Sequence, residues 1–272
     1  MFMNDCPRIS VVLFGVPRCS AVTVPSIETQ ILAPLRRCGV LSVTYHLFRQ
    51  QRIDNPRSGE AGDLDPSNYD FLASYRGTLE TPPDLRGGED YRALSQRGDR
   101  WGNDAATLHN SLCQLHSLAS SWEAVQQDDP DVVVFLRPDL LYHDPIAPDI
   151  VRGVAGQSST AVVPGWQWHH GCNDRFAICG RLAAEAYATR GRLIGDWLRS
   201  CREPFESEAL LAFAFRQSGV GVVAMPLRAS RVRLGGHVVD EPFTCRCLTS
   251  PAVRLRLWRA RLAYGLMRHQ RL

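Results

Sequence analysis

Two apolar runs, Ile9–Phe14 and Val132–Leu136, constrain this chain more than anything else in it. Both are rich in β-branched and aromatic residues, and both end where polar residues, Gly or Pro take over, so each reads as a strand buried inside a sheet. The first ends at Gly15. A helix is expected to open at Pro25-Ser26-Ile27 and run through Leu35, with Ile27, Ile31, Leu32 and Leu35 on one face and an end near Gly39. Leu41 to Phe48 reads as the next strand. Strand, helix, strand at this spacing is a βαβ unit, which demands a parallel sheet.

Residues 49 to 100 change character, being rich in Gly, Pro, Arg and Asp, with one short strand-like or helical piece from Tyr69 to Tyr75. They are expected to form a long loop over a substrate, or to be disordered. Asn103 or Asp104 can cap a helix over Ala105 to Val125, whose stripe of Leu108, Leu112, Leu115, Ala119 and Trp122 faces the core. Asn110, Gln114 and Ser117 lie off that stripe. Further strands are expected at 131–136, 160–163, 176–178 and 220–225, with helices at 181–199 and 206–217. No repeat or linker divides the chain. The expected organisation is therefore one mixed, mainly parallel α/β domain flanked by helices.

Composition excludes several function classes. All 31 basic residues are arginine. Without lysine there is no Schiff base and no Walker-type phosphate lysine, so any phosphate held by a side-chain cation is held by arginine. The longest apolar runs fall far short of the ~20 residues that span a bilayer. The start lacks a signal-peptide pattern, so the expected location is cytoplasmic. The nine cysteines form no zinc-type double pair and are expected to be reduced thiols. Adjacent His169 and His170 would point to opposite faces of a strand, and the histidines read as poor metal ligands.

Charge is uneven. From Pro226 onward, ten arginines face only Asp240 and Glu241, a net of +8 in a chain whose total is +3. Within that tail, Leu255, Trp258, Leu262 and Leu266 line one helical face with arginines around it. That is the pattern either of a helix lying on anionic lipid or of a terminal helix docked on its own domain.

Open parallel sheets bind ligands beyond the carboxyl ends of their strands. Asp139, with Arg137 two residues before it, directly follows the strand 131–136. Asp174 lies in a polar turn before the strand 176–178. Of the two Asp-x-Asp strings, Asp63 to Asp65 sits in the polar loop and Asp129 to Asp131 precedes its strand, so both are badly placed for a donor site and read as solvated turns.

With these pieces in place the sequence resembles a family of glycosyltransferases with the GT-A fold, many of them bacterial and linked to cell-surface glycans. The matching residues are Arg18, Ser26 and Ile27; Asn55 to Glu60; Asn110 with Gln114 to Leu118; Val134 to Leu140; Asn173 to Ile178; and Glu206 to Glu208. They run in order from about residue 9 to 225, in a GT-A-like domain over residues 1–250, with residues 251–272 as a basic amphipathic helix.

The resemblance implies a nucleotide-sugar donor and a glycan or lipid-linked acceptor, with no nucleic acid as partner. It also implies that Arg137-Pro138-Asp139 stands in the place of the family's Asp-x-Asp motif. A divalent cation, Mn²⁺ or Mg²⁺, would then rest on Asp139 alone, while Arg137 supplies a fixed positive charge. Donor contacts fall to Arg18, Asn110, Gln114, Arg137 and Asp139. Acceptor contacts fall to Trp166, Asn173 and Arg175, and catalysis to Asp174 or Glu208. The rival readings are a non-catalytic binding protein on a degenerate transferase fold and, less well supported, a nucleotidyltransferase.

Overall fold

A computed structural model of the chain describes residues 6–55, 58–101 and 105–244. Its centre is a seven-stranded sheet. β1 (Arg8–Leu13) pairs in parallel with β2 (Val40–Phe48) on one side and β6 (Val132–Leu136) on the other, with Ile9 opposite both Leu41 and Val132. Two short strands, β3 (Arg52–Asn55) and β4 (Glu60–Asp63), form an antiparallel hairpin outside the sheet. β5 (Arg76–Glu80) closes one edge, parallel to β2. The other half holds β8 (Thr160–Pro164), β9 (Phe176–Cys179) and β10 (Gly221–Met225), giving the order β10-β8-β9-β6-β1-β2-β5. Only β9 runs against the rest of this sheet, antiparallel to both β6 and β8. β7 (Leu140–Tyr142) and β11 (Ala229–Arg231) make a separate antiparallel pair.

The alternation of side chains along a strand sorts the buried residues into two layers. Ile9, Val11, Leu13, Val132, Val134, Leu136 and Ile178 face one side. There they meet Ile31, Leu32 and Leu35 of the first helical segment and Val151 and Val154 of α5 (Pro148–Ala155). Val12, Phe14, Val133, Phe135, Ala177 and Cys179 face the other side. They pack on Leu118 and Trp122 of α4 (Ala105–Val125), Ala183 and Tyr187 of α6 (Arg181–Ala188), and Leu211 and Phe215 of α8 (Ser207–Gln217). Since both faces are covered, neither run can alternate with charge, which is why they stood out in the sequence.

The differences from expectation have local causes. The first helix opens at Ser20, five residues before Pro25. Proline inside it removes a backbone donor, and the helix widens to a π-helical stretch over Ile27–Leu32 before α2 (Ala33–Arg36). Residues 58–101 are not one long loop. They contain β4, β5, a 3-10 helix at Pro66–Ser74 capped by the Asp65 side chain on the Ser67 amide, and α3 (Glu89–Arg97). β5 lies at the sheet edge with four of its five residues exposed, so it carries almost no apolar signal.

The helix expected over 181–199 breaks at Arg190–Leu193 into α6 and α7 (Ile194–Ser200). The break buries Arg190 completely. β7, α5 and β11 were not foreseen. The seven cysteines that are described are all free thiols. No described helix is long and apolar enough to cross a membrane. The capping residues Asn103 and Asp104, the cysteines Cys245 and Cys247 and the basic tail 251–272 lie outside the described residues.

Candidate active site

β1, β2, β5, β6, β8 and β10 all run the same way, so their carboxyl ends share one edge of the sheet. β9 begins at that edge because it is reversed. This topology gathers the loop after β1 with Arg18, the turn after β6 with Arg137 and Asp139, the segment from Gly165 to Arg175, and the chain beyond β10.

One half of the gathered residues is an arginine cluster. Arg137 grips Asp139 with two bonds, Nε to Oδ1 at 2.9 Å and Nη2 to Oδ2 at 2.7 Å, and Asp139 is 1% exposed. Arg18 Nε stands 3.8 Å from Asp139 Oδ2 while its Nη1 is bonded to Glu60. Glu60 also accepts from Arg233 Nη1 at 2.9 Å and from the Leu234 amide at 2.9 Å. Burial pushes the Asp139 carboxyl up, but Arg137, with Arg18 and Arg233 behind it, outweighs this and holds it below its ordinary range. Arg18 Nε, although buried, has no hydrogen-bond partner among the described residues.

The other half is acidic. Asp174 Oδ2 accepts from Ser207 Oγ at 2.6 Å and lies 3.6 Å from Arg190 Nη2. Burial raises the Asp174 carboxyl, yet Arg190 and Arg175 more than offset it, so Asp174 is an anion at neutral pH. Glu208, 7% exposed, behaves oppositely. Burial and the neighbouring Asp174 charge push it up to about 7, and Arg175 Nη2, at 4.0 Å from Oε1, restores little. Gln114 joins the halves. Its Oε1 accepts from Arg137 Nη1 at 3.3 Å, and its Nε2 donates to Asp174 Oδ2 at 3.4 Å.

The remaining expected residues fall as follows. Asn110 is exposed, one turn before Gln114 on α4. Ser117 is buried and donates to the His46 carbonyl. Trp166 is 3% exposed and donates its indole N–H to the Leu227 carbonyl at 2.6 Å, with the Arg175 guanidinium 5.5 Å above its ring. Asn173 is wholly buried. It bonds the Trp166 carbonyl and the Arg175 amide at 2.9 and 3.0 Å and so closes the turn. Arg175 donates to Gln167 Oε1 at 2.7 Å. The Asp-x-Asp strings are solvated: Asp63 pairs with Arg52, and Asp129 and Asp131 with Arg8.

Sequence reasoning passed over Arg190, Arg233 and Ser207. Arg190 sat inside what read as a surface helix, and Arg233 lay beyond the recognisable segments. The only advance signal for Ser207 was its place beside Glu206 and Glu208.

The loop between β8 and β9 holds uncommon backbone geometry. Gln167 and His169 both hold left-handed backbone, φ 48° and 47°, which side-chain-bearing residues rarely adopt. Gly171 presses on the start of α8 so closely that a Cβ there would lie 1.7 Å from the Glu208 carbonyl oxygen. The Cys172 amide donates to that same oxygen at 3.1 Å. Beside this contact a cavity of about 620 Å³ opens, lined by Arg100, His170, Trp197, Glu206, Phe213 and Arg216 among others. In its wall His170 Nδ1 lies 2.9 Å from buried Glu206.

No protein-family model matches the chain, and no curated protein matches it in sequence. Among solved structures the chain is similar to the mannosyltransferase Ktr4p from S. cerevisiae, at 9% identity over 84% of this chain and 72% of that one, with a TM-score of 0.48. The GDP complex of Ktr4p gives 9% identity, 79% and 69% coverage and the same TM-score of 0.48. Mouse xyloside xylosyltransferase 1 in its apo form gives 10% identity, 80% and 84% coverage and a TM-score of 0.44.

Proposed function

We propose that this chain is a glycosyltransferase that moves a sugar from a nucleotide-sugar donor to a hydroxyl of a glycan or lipid-linked acceptor. The observation that carries the proposal is the join at one sheet edge between an arginine cluster and a buried carboxylate, Glu208, poised at about 7. Arg18, Arg137 and Arg233 supply the fixed positive charge that a departing diphosphate needs, and arginine meets phosphate oxygens in pairs. The unpartnered Nε of Arg18 is a buried donor that such an oxygen would satisfy.

Glu208 takes the proton of the acceptor hydroxyl as its oxygen bonds the anomeric carbon. The bond from that carbon to the diphosphate breaks, and the nucleoside diphosphate leaves with the electron pair. A base near 7 is half deprotonated at working pH and still strong enough to accept the proton. Asp174, held ionised, is the weaker base, so its role is to anchor Gln114 and Ser207. Trp166, Asn173 and Arg175 shape the wall against which the acceptor lies.

A divalent cation does not fit at Asp139. Arg137 engages both of its oxygens, and Arg18 and Arg233 stand near. The same engagement favours the second reading, a protein that binds nucleotide or glycan without turnover.

One assay separates the two. Purified protein is incubated with a panel of nucleotide-sugars and simple acceptors, with EDTA or with Mn²⁺ or Mg²⁺, and released nucleoside diphosphate is scored. Release that persists in EDTA and is lost in Glu208→Gln supports the transferase. Calorimetric binding of a donor with no release under any condition supports the binder. Neither binding nor release overturns both. Lipid contact by the tail is tested separately, by sedimentation with anionic vesicles before and after removal of residues 251–272.

A further inference from the structure

Away from the arginine cluster, three side chains from three elements converge. β2 contributes His46, β5 contributes Glu80, and α4 contributes His116. The register explains the meeting. Glu80 lies opposite Phe48, and His46 is two residues from Phe48, so His46 and Phe48 project to the same face, the one α4 covers. Ser117 Oγ ties α4 to the His46 carbonyl. The His46 and His116 rings lie 5.9 Å apart, and Phe48 stacks on His116 at 6.0 Å. His46 Nε2 is 3.2 Å from Glu80 Oε1, and one ligand atom from each of the three residues lies within 4.8 Å of the others.

We propose that His46, Glu80 and His116 bind a divalent transition-metal ion of the zinc class, with water completing its shell. Two imidazole nitrogens and one carboxylate oxygen are the donor set of such ions, rather than of Mg²⁺ or Ca²⁺, which take oxygen. Bond lengths of about 2.0–2.2 Å require the ligand atoms to close to roughly 3.5 Å of one another. His116 is exposed and the Glu80 side chain is 45% exposed, so both can turn inward without disturbing the core. The buried anchor, His46, has its Nδ1 without a hydrogen-bond partner among the described residues. The bound ion would brace α4 against the β2–β5 edge, two residues from Gln114.

The test uses the full chain, stripped with a chelator and dialysed against Zn²⁺, with bound metal measured by elemental analysis and affinity by calorimetry. One equivalent is expected. His116→Ala and Glu80→Gln change exposed groups, so circular dichroism should match the parent while affinity falls more than ~100-fold, beyond the loss typical of outer-shell changes. Co²⁺ in place of Zn²⁺ should show ligand-field bands without the charge-transfer band of a thiolate. The Tm of the parent, but of neither variant, should rise with Zn²⁺. Absence of binding, undiminished binding in both folded variants, or a thiolate band that places the metal on cysteine would each overturn the proposal. None of these results depends on glycosyl transfer.

Discussion

The two halves of the site use the same residue types to opposite ends. Around Asp139 and Glu60 the carboxylates are saturated: each has a guanidinium within bonding distance, and both are held below the ordinary carboxylate range. Around Glu208 the carboxylate is under-supplied, with Arg175 no nearer than 4.0 Å and the Asp174 charge beside it. A saturated carboxylate stays ionised beside its arginines, so that half presents fixed charge. An under-supplied one keeps its affinity for a proton. The lesson is that buried carboxylates at one sheet edge divide into holders and acid–base groups by the number of cations facing each.

The sharpest way to break the comparison is Arg137→Ala. It strips Asp139 of both direct bonds and leaves a buried charge, so unfolding in denaturant should show a loss of about 3–5 kcal/mol, with transfer abolished. Arg137→Lys should recover little, because an ammonium cannot bond both oxygens in the plane of the carboxylate. A loss below ~1 kcal/mol in Arg137→Ala would mean Asp139 is not held as described.

Glu208→Gln should leave the fold intact and lower kcat by roughly 10²–10⁴. In the parent, the rate should climb with pH through about 7 as Glu208 deprotonates, and that limb should vanish in the variant. Stability should move the other way. A carboxyl that titrates near 7 when folded but near 4.5 when unfolded binds more protons in the native state between those values, so the parent loses stability as pH rises through that window. Glu208→Gln should flatten this slope. Retention of the slope would assign it to another group.

Gly171→Ala tests whether the acidic half depends on the close approach of the loop to α8. The added methyl must displace one or the other, and a cost of about 1–3 kcal/mol with reduced transfer is expected. The smallest effect should come from Gln114→Ala. Removing one long hydrogen bond to each half should cost only about 1 kcal/mol by thermal denaturation.

How much of this was legible in the sequence follows from burial. β1 and β6 could be read because both their faces are covered, and α4 because its leucines repeat at helical spacing. β5 could not be, since an edge strand of Arg-Gly-Thr-Leu-Glu has no apolar pattern. Asp139 was singled out after a strand and Asp174 in the polar turn before one, and the reversed direction of β9 is what brings both to the same sheet edge. Arg190 was hidden because a buried arginine looks, in sequence, like a solvated one. His46, Glu80 and His116 share no local spacing at all. They meet only once the β2–β5 register and the packing of α4 are known.

Gln114 has one more consequence. If a diphosphate draws Arg137 toward itself, the amide loses its acceptor contact and is free to turn with Asp174, so occupancy on one side is felt on the other. Such linkage is reciprocal: the factor by which donor tightens acceptor binding must equal the factor by which acceptor tightens donor binding. In Gln114→Ala that factor should fall toward one while each separate affinity changes little. The two substrates would then bind as strangers.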